Sequence, residues 1–165
     1  TVIALSASGT TPYPLSFAKI ARAKGATVIG IANNPDTALL TSADIAVCLD
    51  TPPEVIAGST RLGAATSQKA ALNMMSTLMG VRLGHVYDGM MVNVVADNAK
   101  LQTRATHIVA RIANVTTDVA GQCLIDAGNA VKPAVLLAAG ADTAEQAQEI
   151  LETTKGNLRA ALARL

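Results

Sequence analysis

The chain has 165 residues, half of them apolar but only 2% aromatic, and a formal net charge of +1. That length can bury the core of one domain, or of one domain plus a small appendage. Near-neutral charge without a basic run gives no footprint for nucleic acid and no polybasic membrane patch, which leaves small neutral or anionic ligands as the open class of partner.

The chain opens on an apolar run, Val2 to Leu5, that predicts a buried strand. It starts inside that strand without a Met, so a longer protein with an upstream part is expected. Next comes Ser6-Ala7-Ser8-Gly9-Thr10-Thr11-Pro12, ahead of a helical pattern from Tyr13 to about Lys24. Four hydroxyls, a glycine and a helix start converge on one spot, as an anion site requires. A helix cap would use one hydroxyl, so this turn offers more donors than capping needs.

Gly25 stops that helix, and Thr27 to Ala32 predicts a second strand at the spacing of a right-handed βαβ unit. Asn33-Asn34-Pro35-Asp36 is turn chemistry, with a short helical piece near Thr37 to Ser42 and a third strand at Ile45 to Leu49. Continuous apolar strands imply a parallel sheet, whose ligands sit beyond the strands' carboxyl ends. Cys48 and Cys123 lack metal spacing and are expected as reduced core residues of a cytoplasmic protein.

Pro52-Pro53-Glu54-Val55-Ile56-Ala57-Gly58-Ser59-Thr60-Arg61 reads as a loop, with Ser59 or Thr60 as the N-cap of a long helix, about Leu62 to Leu83. That helix is apolar on most faces, which predicts a central helix covered on several sides and a homodimer that buries the surplus face. Glu54 is either a solvated loop carboxylate or one that faces the same crevice as the hydroxyl turn.

Gly84 to Gly89 is expected as a loop, Met90 to Ala96 as an edge strand, and Asp97 as the cap of a helix through about Asn114. Short helices follow at Thr117–Ala127, Val131–Ala139, Thr143–Leu151 and Asn157–Leu165. A capping box is expected from Asp142 with Glu145 or from Thr143 with Gln146. His85 and His107 stand alone and are expected at the surface. No apolar stretch approaches the ~18 residues of a membrane span, and no signal peptide is expected. The fold class expected is α/β: a parallel sheet flanked by helices over 1–96, a connecting helix over 97–114, and a small helical bundle over 115–165.

The hydroxyl turn with Tyr13, the block from Glu54 to Arg61, Gln68-Lys69, the run Leu72 to Thr77, Val86-Tyr87, Met91-Val92 and Asn98 to Leu101 together resemble the sugar isomerase (SIS) fold. More closely, they resemble the N-acetylmuramic acid 6-phosphate etherases, over nearly the whole chain. This implies an SIS-like αβα sandwich holding a phosphorylated amino sugar, with Ser6, Ser8 and Thr11 on the phosphate, the Ala7 and Gly9 backbone close by, Ala57 and Ser59 near the sugar, and Glu54 facing its hydroxyls. The implied reaction cleaves the D-lactyl ether without metal or cofactor, by elimination and then water addition. By the same resemblance, the first strand, the first phosphate loop and the main acid/base glutamates lie upstream of Thr1, and Thr10 stands where these etherases often have Arg. Two alternatives stay open: a non-catalytic sugar-phosphate sensor and an aldose-ketose isomerase on the same scaffold.

Overall fold

The computed structural model describes all 165 residues, which form two compact units, Thr1–Ser76 and Thr77–Leu165. In the first unit, β1 (Val2–Ser6), β2 (Val28–Ala32) and β3 (Ile45–Cys48) lie in that order, all parallel. Ser6 pairs with Ala32 and Ala32 with Cys48, so the three strands end at one level. The loops that leave them therefore emerge on one edge, where parallel sheets hold their ligands.

The crossovers are α1 (Pro12–Ala23) and α2 (Ala38–Ser42). Right-handed connections between sequential neighbours put both on one face of the sheet, over a core of Ala4, Ala18, Ala21, Val28 and Leu39. A Cβ on Gly30 would lie 2.9 Å from both the Leu39 carbonyl oxygen and Ala43 Cβ, so glycine is what lets β2 and α2 approach. Ile31 on the opposite face is buried, while Ile3 stays 38% exposed. The α/β class with parallel strands and flanking helices is as the sequence predicts.

One expectation for this region is corrected, and the cover expected over the long helix is not supplied by the chain itself. Cys48 is exposed instead of buried, because β3 is the edge strand and Ile45 and Ala46 beside it are exposed as well. The long helix α3 (Gly63–Arg82) is not covered on several sides within the chain. Only Ala64 is buried, and Met74, Leu78 and Met79 are exposed by 61%, 63% and 56%.

In the second unit, after the end of α3, a hairpin forms where a loop and a longer edge strand were expected: β4 (Val86–Tyr87) pairs antiparallel with β5 (Met90–Met91). Asp88 and Gly89 both take positive φ (46° and 77°), the left-handed pair that a tight two-residue hairpin turn demands. Arg159 locks this turn, with its guanidinium over the Tyr87 ring and an ion pair to Asp88 that raises its pKa above the usual range.

Five helices complete the unit: α4 (Ala99–Ala113), α5 (Thr117–Asp126), α6 (Val131–Ala139), α7 (Ala144–Thr153) and α8 (Leu158–Leu162). The apolar α6 sits at their centre, with Val131, Ala134, Val135 and Leu136 fully buried. Its Lys132 is buried too, and Nζ donates to the Gly156 carbonyl at 2.6 Å while burial pulls its pKa down. Asn98, not Asp97, caps α4: its Oδ1 accepts from the Leu101 N–H, and Asp97 accepts from the Asn98 amide instead. At the start of α7, Thr143 Oγ1 accepts from the Gln146 N–H and Gln146 Oε1 accepts in return from the Asp142 N–H, one residue before the cap. No helix is long and apolar enough to cross a membrane.

Candidate functional site

The turn between β1 and α1 is shaped by two prolines. Thr11 stands at the N-cap of α1, Pro12 follows at the first helical position and Pro14 at the third. An N-cap hydroxyl ordinarily accepts from the N–H two or three residues on, and Pro14 has none. Thr11 accordingly makes no capping bond. This corrects the expectation that several helix N–H groups point at the turn: Leu15 N–H returns to Thr11 O at 3.4 Å, which leaves Tyr13 as the one other N–H of the first turn.

The hydroxyls bond to one another instead. Ser6 Oγ donates to Thr11 Oγ1 at 2.9 Å, and Ser8 Oγ lies 3.3 Å from both. Thr10 Oγ1 donates to Ser8 Oγ at 3.1 Å, and the Gly9 N–H donates to Ser6 Oγ at 3.1 Å. Ser6 is buried under this cluster and Ser8 is exposed on it. Hydroxyl hydrogens rotate freely, so the same oxygens can turn their donors toward an incoming anion. Gly9 is required on two counts: φ is +67°, and a Cβ there would fall 2.1 Å from Thr37 Oγ1.

Beyond β3, the chain from Thr51 to Thr60 folds back over the same edge of the sheet. Ala7 and Ser8 line a crevice of about 610 Å³ together with Glu54, Ala57, Gly58 and Ser59. That volume suits a small metabolite. Ser6, Gly9 and Thr11 stand outside the lining and support Ser8 from behind. Glu54 is its one carboxylate and no Lys or Arg lines it, so an anion is met by neutral donors.

Glu54 is half-buried, and Oε1 accepts from the Ala64 N–H at 3.2 Å. This replaces the cap expected from Ser59 or Thr60; Ser59 Oγ accepts only from the Arg61 N–H, at 3.5 Å. A carboxylate at a helix N-terminus is favoured by the dipole and by the unpaired N–H groups there. No hydrogen bond engages Oε2.

Sequence reasoning missed Asn33, which it treated as part of a turn. The side chain is 3% exposed and every polar atom is used. Nδ2 donates to Leu49 O at 2.9 Å and to Ser67 Oγ at 2.8 Å, Oδ1 accepts from Gln68 Nε2 at 2.8 Å, and the backbone N–H donates to Ala7 O at 3.0 Å. Asn34 Nδ2 reaches the same Ala7 carbonyl at 3.0 Å. An amide at the end of the middle strand is the available signal, since it alone is within reach of the ends of both neighbours.

The model of the SIS domain family matches residues 1–79. Among curated relatives, the N-acetylmuramic acid 6-phosphate etherase of Deinococcus radiodurans is 45% identical over 98% of this chain and 53% of its own length. That of Streptomyces avermitilis is 42% identical over 99% and 52%, and etherase 1 of Bacillus licheniformis 39% over 98% and 53%. The chain therefore spans about half the length of the curated relatives it matches.

Proposed function

Residues 1–79 belong to the SIS domain family, and on that premise we propose that the chain supplies the phosphosugar crevice of a cytoplasmic carbon–oxygen lyase. The reaction is cleavage of the D-lactyl ether of N-acetylmuramic acid 6-phosphate to N-acetylglucosamine 6-phosphate and D-lactate, within cell-wall sugar metabolism. One observation carries the reading: a hydroxyl cluster that caps no helix and a helix-anchored carboxylate open into one crevice at the carboxyl edge of a parallel sheet.

In this reading the phosphate sits at Ser8, and Ser6 and Thr11 exchange their mutual bonds for bonds to its oxygens. Hydrogen bonds to a charged group are worth about 1.5–3 kcal/mol each, which exceeds what the neutral hydroxyl cluster gains from itself. The Ala7 and Gly9 backbone lies close, and the sugar extends toward Ala57, Ser59 and Glu54. With Oε1 tied to α3, Oε2 of Glu54 faces the sugar hydroxyls. Elimination moves a proton from the carbon next to the sugar carbonyl to a base, breaks the ether bond and returns a proton to the departing lactyl oxygen; water then adds to the double bond. Each positioned proton-transfer group typically contributes roughly 10²–10⁴-fold. Glu54 is the carboxylate this chain brings to that work, and the relatives' additional length is where further acid/base groups are placed.

The exposed apolar residues of α3 support a homodimer that buries them. Release of D-lactate by the intact protein tests the activity.

A further inference from the structure

We propose that Asn33, with Gln68, is a positioning pair that sets the distance between the phosphate turn and Glu54 and so makes the crevice select a sugar phosphate over phosphate alone. The inference rests on the phosphosugar reading above. Asn33 lines the crevice, but both Nδ2 hydrogens and Oδ1 are spent inside the protein, so its side chain acts on the walls and offers no free donor to a ligand. Its backbone and its side chain hold different things. The backbone N–H fixes Ala7 O in the hydroxyl turn, helped by Asn34 Nδ2. The side chain fixes Leu49, where the chain leaves β3 toward Glu54, and Ser67 and Gln68, one turn beyond the Ala64 N–H that holds Glu54 Oε1.

The two halves of the crevice are thus joined through one residue, whose side chain governs only the carboxylate half. Truncating it leaves the phosphate turn on its backbone anchors and loosens the loop that carries Glu54, which then rests on the Leu49 N–H bond to Ala32 O and on the Glu54 bond to the Ala64 N–H. A ligand that uses only the turn is indifferent to that freedom. A ligand that bridges from the turn to Glu54 must order the loop as it binds, and loses affinity accordingly.

Titration of the intact protein with inorganic phosphate and with N-acetylglucosamine 6-phosphate separates the cases. Asn33→Ala is expected to weaken the sugar phosphate tenfold or more while phosphate affinity stays within about threefold. Gln68→Ala, which removes one bond of the tie and leaves the buried amide in place, is expected to show the same split at about threefold to tenfold, and decides the matter if Asn33→Ala does not fold. Equal losses for both ligands, or no loss for either, overturn the positioning role. A wild-type protein that binds neither ligand overturns the phosphosugar reading itself, and the positioning role with it.

Discussion

Glu54 Oε1 accepts the Ala64 N–H at 3.2 Å, so a residue in the loop after β3 is fixed to the first turn of α3 across ten positions of sequence. The carboxylate is therefore part of the fold as well as of the crevice, and its two contributions are separable. Glu54→Ala removes the acceptor and is expected to lower stability by about 1 kcal/mol, in the range of a lost helix cap. Glu54→Gln keeps an acceptor oxygen and should stay within about 0.5 kcal/mol of wild type, giving up the charge at the helix dipole alone. Denaturant unfolding of the two variants checks the order; equal losses would mean that the bond contributes nothing.

Gly9 and Gly128 both take positive φ, +67° and +60°, but only Gly9 is crowded, with Thr37 Oγ1 2.1 Å from where a Cβ would stand. Gly128→Ala is expected to cost about 1–2 kcal/mol from the left-handed backbone alone. Gly9→Ala adds overpacking of about 1–3 kcal/mol and distorts the hydroxyl turn. Thermal unfolding should rank Gly9→Ala clearly below Gly128→Ala, and equal melting temperatures would contradict the crowding.

Ser8 is the exposed member of the hydroxyl cluster, bonded to Ser6, Thr10 and Thr11. Losing one charge-assisted bond of about 1.5–3 kcal/mol corresponds to roughly tenfold or more in affinity. Ser8→Ala in the intact protein should weaken N-acetylglucosamine 6-phosphate by that factor and leave N-acetylglucosamine unchanged. Equal losses for both ligands by calorimetry would remove Ser8 from the phosphate.

On α3, Met74, Leu78 and Met79 are each more than half exposed, a face too apolar to be left in water. Sedimentation of the intact protein at micromolar concentration is expected to show a dimer, and Leu78→Glu should shift it toward monomer. A wild-type monomer would leave that face to other covering.

The frame of the crevice was legible from local chemistry. The apolar run Val2–Leu5, the stop at Gly25 and the Asn-Pro-Asp turn place β1, α1, β2 and the loop edge with boundaries one or two residues off. What stayed hidden depends on contacts between distant residues. Asn33 meets Gln68 and Ser67 across 35 and 34 positions, and no spacing rule reports such a pair. The edge position of β3, which exposes Cys48, follows from strand order and not from composition. Asp97 and Asn98 are both good caps, and sequence alone does not rank neighbours. The two prolines were in plain view, but their consequence for Thr11 appears only once the helix start is fixed at Pro12.

The most direct measurement is enzymatic release of D-lactate from N-acetylmuramic acid 6-phosphate by the intact protein and by its Glu54→Gln variant. The carboxylate takes part in proton transfer or holds the sugar in register for it, so the wild type should yield D-lactate and N-acetylglucosamine 6-phosphate in equal amounts. The folded variant should lose roughly 10²-fold or more in turnover. A wild type that binds the phosphosugar without ever releasing lactate would contradict the lyase account and make the crevice a sensor's, and full activity in Glu54→Gln would place the carboxylate at the rim.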